Sequence, residues 1–261
     1  MAKVTLETFK NFFKYYNEEE HQIRALEMLY RELNKSVFNN QLYDDSAWIQ
    51  QYRNQIDEPV GPVQGPEEAP LQWPITKEEM AEIMGCYASQ LPDELMDDFA
   101  RCVKLYGMTR IGMCYFLGQC GHESAGLRYP IEIHDGSNYE YRSDLGNIYP
   151  GDGVMFAGTG WIQVTGRYNH QLFSDYLQKQ GKYDPKIMEV GKTHTANKYP
   201  WSISGNWWFN NGMGDFCAIR QEMTDRQIDE VGARVNGRMR PNGADDRLKY
   251  THRAMKVFGY R

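Results

Sequence analysis

The sequence predicts a mainly α-helical protein in two parts, with one short β excursion in the larger part. Apolar side chains recur at helical spacing through residues 1–54 and again through most of residues 75–261. Residues 55–74 separate these regions and contain five of the 11 prolines, which predicts an extended linker. The Gly-, Tyr-, Asp- and Asn-rich residues 128–160 interrupt the helical pattern.

Residues 1–54 predict a small helical bundle domain of three short helices. In the larger region, Thr76 and Glu79 form a capping-box pattern that predicts a helix start. A second helix begins at about Pro92, in its first turn, and ends at Gly107. The next segment, TRIGMCYFLGQCGHES, is apolar almost all round and therefore predicts a buried central helix.

The irregular section begins with YPIEI, a short strand pattern, and Asp135-Gly136 then predicts a hairpin or a tight turn. Helical patterns return at 166–180, 202–212, 224–235 and 244–258, the third with Thr224 and Gln227 as a second capping box. The larger region is thus a mostly α domain with a small β-hairpin.

Composition excludes several classes of protein. The net charge of −6 argues against nucleic-acid binding, which needs a basic face. No apolar run approaches the roughly 18 residues of a membrane span, and the first 20 residues lack a secretory pattern. We therefore expect synthesis in the cytoplasm and no membrane insertion. The five cysteines show no close CxxC pair, which predicts free, structural thiols.

The end of the predicted central helix carries the most informative residues, His122 and Glu123. A carboxylate at the end of an apolar helix is unfavourable unless it is paired, protonated or exposed in a cleft. A protonated carboxyl group there could serve as a general acid, and a helix-terminal ion pair is the structural alternative. Glu132 follows nine residues later within YPIEI. Hydrolysis of a glycosidic bond uses two such carboxyl groups, one on each side of the sugar.

Two longer phrases carry a resemblance: GHESAGLRYPIEI and GNIYPGDGVMFAGTGWIQVTGRYNH. Together they resemble the family 19 glycoside hydrolases, the plant-type chitinases and their relatives among bacteriophage endolysins, and the phage branch is the closer match. The resemblance covers roughly residues 76–261. It implies a lysozyme-like α+β catalytic domain that hydrolyses β-1,4-linked N-acetylhexosamine polymers with inversion, without a metal or other cofactor.

The resemblance also implies roles for individual residues. Glu123 corresponds to the general acid, Glu132 to the general base, and Thr165 to a hydroxyl residue that helps hold the attacking water. The remaining matches imply contacts with substrate, at His122, Gln163, Tyr168, Asn169 and Asn236. A C-terminal arginine of the family corresponds to either Arg247 or Arg253.

Some positions depart from the family pattern. Thr159 stands where the family has the arginine of GRG, so any ion pair of that arginine is lost. The family's NGG reads Asn236-Gly237-Arg238 here. Both catalytic carboxylates are present, so these departures bear on substrate and stability more than on reaction type.

Alternative functions remain open. A zinc peptidase would need a second histidine four residues after His122, and Gly126 stands there. A non-catalytic amino-sugar-binding protein on the same fold has no evident use for Glu123 and Glu132. Phage-like phrasing favours peptidoglycan over chitin, and we expect a monomeric endolysin that reaches the wall after release from the host cytoplasm. Residues 1–54 could anchor the enzyme to the wall or serve as an assembly domain.

Overall fold

The computed structural model describes residues 75–238 and 240–260 of the chain. This part is almost entirely helical, which confirms the mainly α fold class. The helical bundle predicted for residues 1–54 and the linker predicted for residues 55–74 lie outside the described residues. Within the described ranges, no helix is both long enough and apolar enough to cross a membrane.

The described residues form eleven α-helices and three short 3₁₀ helices. Their order agrees with the four helical segments predicted after residue 160, and short helices lie between them. The α-helices are α1 Lys77–Met84, α2 Asp93–Tyr106, α3 Arg110–Glu123, α4 Asp152–Met155, α5 Arg167–Lys179, α6 Lys186–Glu189, α7 Lys192–Lys198, α8 Pro200–Asn210, α9 Met213–Ala218, α10 Asp225–Asn236 and α11 Ala244–Val257. The 3₁₀ helices are Ala88–Gln90, Ser137–Tyr139 and Ser143–Leu145.

Helix starts follow the predicted capping residues. At α1, Thr76 Oγ1 accepts from Glu79 N at 3.1 Å while Glu79 Oε2 accepts from Thr76 N at 2.7 Å. The equivalent pair at α10 is Thr224 and Gln227. Both capping boxes are therefore confirmed, because each satisfies backbone donors that a helix start leaves open. At α2, Pro92 is the residue before the helix and not part of its first turn.

Helix α3 is the centre of the domain, as predicted. Its ten residues from Gly112 to Gly121 are all buried. Helix α11 packs along it where α3 has glycines: a β-carbon at Gly118 would overlap Thr251, and one at Gly121 would overlap the Tyr250 ring. This close approach brings the start of α11 beside the C-terminal end of α3.

A cluster of aromatic rings surrounds Trp201, which is fully buried near the start of α8. Its ring centroid lies 4.9 Å from that of Phe99, 5.7 Å from that of Trp161 and 6.0 Å from that of Phe116. Trp208 also packs on Phe116, so this tryptophan belongs to the core. All five cysteines are free thiols, four of them buried, as the sequence predicts.

The β-hairpin is the element that the sequence misplaces. In the described residues β-pairing is limited to two isolated antiparallel bridges, Ile131 with Thr159 and Thr159 with Val164. Asp135 forms the tight turn that the sequence predicts as the alternative to a hairpin, with its Oδ1 accepting from Ser137 N at 2.9 Å. The YPIEI segment therefore pairs with a segment distant in sequence, which the local hairpin pattern could not indicate.

Buried His170 predicts a pH-dependent stability. Burial lowers the pKa of His170 to about 4, from 6.5. The unfolded chain therefore binds a proton between these values that the folded chain does not, so stability is present above 6.5 and falls toward pH 4. We expect His170→Gln to remove this loss, which is on the order of 3 kcal/mol in unfolding free energy.

Urea unfolding of both proteins at pH 7 and pH 4 measures this effect. Burial raises the pKa of Asp98 to about 6, which changes stability in the opposite direction over part of the same range. Because Asp98 is common to both proteins, its contribution cancels in the difference between them. Equal losses from pH 7 to pH 4 in wild type and variant would contradict the prediction.

Candidate active site

Glu123 is the last residue of α3, and its side chain is 22% exposed. Its Oε1 accepts a hydrogen bond from Arg247 Nη2 at 2.5 Å. The Arg247 side chain, which belongs to α11, is only 1% exposed. Of the two arginines that the resemblance left open, the structure therefore places Arg247 against Glu123. Arg253 lies over the Tyr250 ring instead.

The buried guanidinium of Arg247 has three acceptors. Besides Glu123, its Nη1 donates to Gln119 Oε1, and its Nε donates to the Asn242 carbonyl at 2.9 Å. Asn242 N in turn donates to Asn236 Oδ1 at 3.0 Å. A buried charge is stable only when it is paired and hydrogen-bonded, and this arrangement meets that condition. Arg247 holds the Glu123 carboxylate through Oε1 alone. Glu123 Oε2 accepts no hydrogen bond from any described residue.

The turn after α3 has an unusual backbone. Ala125, Gly126 and Leu127 all have positive φ angles, of 52°, 73° and 65°. For residues with a β-carbon, this region is unfavourable by roughly 1–3 kcal/mol each. Ser124 stabilises the turn, since its hydroxyl donates to Cys120 O at 2.7 Å and accepts from Leu127 N at 2.9 Å. The turn leads the chain directly from Glu123 to the segment that carries Glu132.

Glu132 is held by both of its carboxylate oxygens. Oε1 accepts from the Tyr139 hydroxyl at 2.9 Å, and Oε2 accepts from Gly158 N at 3.0 Å. The Glu132 backbone N also donates to Gly158 O at 2.9 Å. Burial raises the pKa of Tyr139, and its hydrogen bond to Glu132 raises it further, so Tyr139 stays a neutral donor. Each carboxylate oxygen keeps a lone pair that a water molecule could use.

Gln163, Thr165 and Asn169 form one chain of hydrogen bonds near Glu132. Thr165 Oγ1 donates to Gln163 O at 3.0 Å, and Asn169 Nδ2 donates to Thr165 O at 2.8 Å. A β-carbon at Gly158 would lie 2.9 Å from Gln163 Oε1 and 3.0 Å from Glu132 Oε2. The absence of a β-carbon at Gly158 therefore leaves room for both side chains beside its backbone. Gln163 itself has a positive φ of 57°, a strained conformation typical of functional sites.

The other predicted substrate-binding residues have different surroundings. Tyr168 is 59% exposed, so its ring is free to meet a ligand. His122 Nδ1 lies 3.0 Å from Asp246 Oδ2, and its ring packs on Gly243. His122 therefore joins α3 to the start of α11. Asn236 accepts from Asn242 N, which places it in the hydrogen-bond chain that ends at Glu123.

The site residues therefore form two clusters, which residues 124–131 connect. The first is centred on Glu123 and Arg247, and the second on Glu132. Tyr129 N donates to Ser124 O at 3.1 Å, and Gly160 N donates to Pro130 O at 2.8 Å, so both ends of the joining segment are held. In the described ranges, no three His, Cys, Asp or Glu side chains lie together as metal ligands would.

Thr159, at the position of the family's GRG arginine, has a defined place. It is fully buried, and its hydroxyl lies 3.0 Å from both Lys192 O and Thr195 Oγ1. Its backbone forms both isolated bridges, to Ile131 and Val164. The Thr159 hydroxyl is therefore satisfied, and Thr159 connects the Glu132 segment to the Gln163 loop.

Comparison with known proteins supports similarity to family 19 glycoside hydrolases. No family model matches the chain. A glycosyl hydrolase family 19 domain-containing protein of Haemophilus influenzae is 24% identical over 181 residues, which cover 58% of this chain and 81% of that protein.

Solved structures agree in fold. A point mutant of chitinase C matches with a TM-score of 0.52 at 14% identity, over 72% of this chain and 93% of its own. Chitinase C of Streptomyces griseus HUT6037 matches with a TM-score of 0.50 at 14% identity, over 71% and 93%. A bacterial family 19 chitinase matches with 0.50 at 15% identity, over 72% and 96%. The chain therefore has the fold of family 19 chitinases and sequence similarity to a family 19 glycosyl hydrolase domain.

Proposed function

We propose that this chain is an inverting glycoside hydrolase that cleaves β-1,4 bonds between N-acetylhexosamines. The observation that carries the proposal is the pair of carboxylates, Glu123 and Glu132, each held by its own hydrogen bonds at two ends of one short segment. A fold shared with chitinases supports a polysaccharide substrate. A purely sugar-binding protein would not require two oriented carboxylates.

In the proposed reaction Glu123 is the general acid. Its Oε2, which has no partner among the described residues, carries the proton and gives it to the glycosidic oxygen as the bond to the anomeric carbon breaks. The charge that then develops on Glu123 is stabilised by Arg247, whose guanidinium is already oriented by Gln119 and Asn242. Arg247 needs no movement for this role, because its partners hold it in place.

Glu132 is the general base. It takes a proton from a water molecule that attacks the anomeric carbon from the face opposite the leaving group. Tyr139 and the Gly158 amide keep the carboxylate oriented, and Thr165 and Gln163 line the neighbouring loop. We expect the two carboxyl groups to stand about 6.5–9.5 Å apart, since that gap admits the water in inverting enzymes.

The polymer that we propose is the glycan strand of peptidoglycan, and chitin is the alternative. The phage-like phrases within residues 121–170 support the first choice. Exposed tyrosines lie along the same stretch, at Tyr129, Tyr141, Tyr149 and Tyr168, where flat rings could contact sugar faces. In this proposal the protein is a phage endolysin that acts on the wall after release from the host cytoplasm.

The configuration of the first product tests the mechanism. Proton NMR of freshly cleaved, soluble peptidoglycan glycan strands, with chitin hexasaccharide in parallel, distinguishes the two anomers before they interconvert. Inversion of a β bond is expected to give the α-anomer first. An initial β-anomer would mean retention, through an enzyme carboxylate or the substrate's own acetamido group as nucleophile, and the inverting mechanism would be wrong.

A further inference from the structure

A cavity lined by none of the residues around Glu123 and Glu132 has a volume of about 620 Å³. It lies among the ends of α5 and α7, the start of α6 and the middle of α2. Its lining is rich in cationic groups, although the whole chain has a net charge of −6. The lining residues that matter here are Arg101, Lys182, Tyr183, Asp184, Lys186 and Lys198.

Asp184 organises one wall of this cavity. Its Oδ2 accepts from Lys198 Nζ at 2.8 Å and from the Tyr199 hydroxyl at 2.9 Å, and lies 3.0 Å from His194 Nε2. Burial favours the protonated carboxyl, but these hydrogen bonds outweigh it and hold the pKa of Asp184 well below its usual range. Asp184 is therefore a charged partner for Lys198, and the two charges compensate.

Arg101 is compensated in the same way, because its Nη1 donates to the buried Asp98 at 3.0 Å. The two remaining cations, Lys182 and Lys186, form no ion pair with any described residue. The cavity therefore has two uncompensated positive charges. This number matches the charge of about −1.5 to −2 that a phosphate monoester carries at pH 7.

The backbone that carries these lysines is well defined. Lys182 N donates to Leu177 O at 2.8 Å, which ties the loop back to α5. Lys186 N donates to Asp184 Oδ1 at 3.1 Å at the start of α6. The backbone that carries both lysines is thus held in a short loop attached at each end. Ammonium groups act as compact point charges and are common phosphate ligands in proteins.

We propose that this cavity binds a phosphorylated ligand, with Lys182 and Lys186 at the phosphate and the exposed ring of Tyr183 beside the organic part. The volume suits a small organic phosphate or one unit of a longer phosphodiester chain. A phosphate group occurs both in a free phosphomonoester and in an anionic wall polymer. The proposed ligand is this phosphate group, whichever of the two molecules carries it. The proposal does not depend on the reaction at Glu123 and Glu132.

The test is calorimetric titration of the full-length protein at low ionic strength with glycerol 1-phosphate, poly(glycerol phosphate) and glutarate. We expect both phosphates to bind, and Lys182→Ala/Lys186→Ala to weaken that binding at least tenfold. The matched control is Lys104→Ala/Lys249→Ala, which removes the same charge from exposed positions outside the cavity and should change affinity less than twofold. Glycan hydrolysis by the Lys182/Lys186 variant should equal that of wild type.

The outcomes distinguish a polymeric from a free phosphate ligand, and they show whether the cavity binds phosphate at all. Tighter binding of the polymer per phosphate would identify a phosphodiester polymer as the ligand source, whereas equal binding would identify a free phosphomonoester. The proposal is overturned if neither phosphate binds, if the control weakens binding as much as the cavity variant does, or if glutarate binds more tightly than phosphate.

Discussion

Glu123→Gln is expected to abolish most of the hydrolytic activity while leaving the protein folded. Loss of a general acid typically lowers the rate by about 10²–10⁴-fold. The amide has nearly the same shape, and its oxygen can still accept from Arg247. Arg247 also keeps Gln119 and the Asn242 carbonyl as partners, so the buried guanidinium still has hydrogen-bond acceptors. Release of reducing ends from peptidoglycan measures the effect.

A control separates this effect from a general loss of carboxylate charge. Glu222→Gln makes the same chemical change at an exposed position away from both clusters and should retain wild-type activity. Urea unfolding of each variant shows whether the folded population is intact. Wild-type activity in a fully folded Glu123→Gln protein would show that Glu123 is not the acid.

Arg247→Met is expected to give the largest loss of stability among the site variants. The buried guanidinium satisfies Glu123, Gln119 and the Asn242 carbonyl together, and its removal leaves these acceptors without their donor. Breaking one side of a buried ion pair costs about 3–5 kcal/mol, and we expect the lower end because Glu123 can regain water. Activity should fall as well, since Glu123 loses the group that orients it. The free energy of unfolding in urea is the measurement.

Arg253→Met is the matched control. Its side chain lies near the Tyr250 ring and donates only a long hydrogen bond, 3.4 Å, to Ile83 O. We expect it to lose less than about 1 kcal/mol. Arg247→Lys should resemble Arg247→Met more than wild type, because a single ammonium group cannot reach three acceptors as a planar guanidinium does. Equal stability of the Arg247→Met and Arg253→Met proteins would contradict this account of Arg247.

The elements that the sequence predicts well are those that depend on neighbouring residues. The capping boxes at Thr76 and Thr224 involve residues three positions apart, and the apolar run of α3 is continuous. Local patterns of this kind determine helix starts and buried helices before any tertiary contact is known.

The parts that the sequence could not predict depend on contacts between distant residues. Arg247 and Glu123 are 124 positions apart, and only the packing of α11 on α3 brings them together. The Gly158 amide that binds Glu132 is 26 positions away. Tyr139 lies seven positions from Glu132 across an irregular segment, where no regular period indicates their contact. The misplaced hairpin has the same cause, because Ile131 pairs with Thr159 and not with a neighbour across Asp135-Gly136.

Thr159 departs from the family pattern, and its contribution depends on contacts with distant residues. From sequence, replacement of an arginine indicates a lost ion pair. In the structure the threonine hydroxyl is shared between Lys192 O and Thr195 Oγ1, and the residue links two loops of the site. The position therefore contributes to the architecture around Glu132 without a charge.

Digestion of purified peptidoglycan and of colloidal chitin, in separate reactions with products identified by mass spectrometry, shows whether the chain cleaves β-1,4 glycosidic bonds and in which polymer. We expect soluble fragments that end in a reducing N-acetylhexosamine, with wall fragments that keep their peptides and with little product from chitin. Release of free peptides from a wall whose glycan strands stay intact would contradict cleavage by Glu123 and Glu132. Products from chitin alone would keep the two-carboxylate reaction and show that the proposed substrate is wrong.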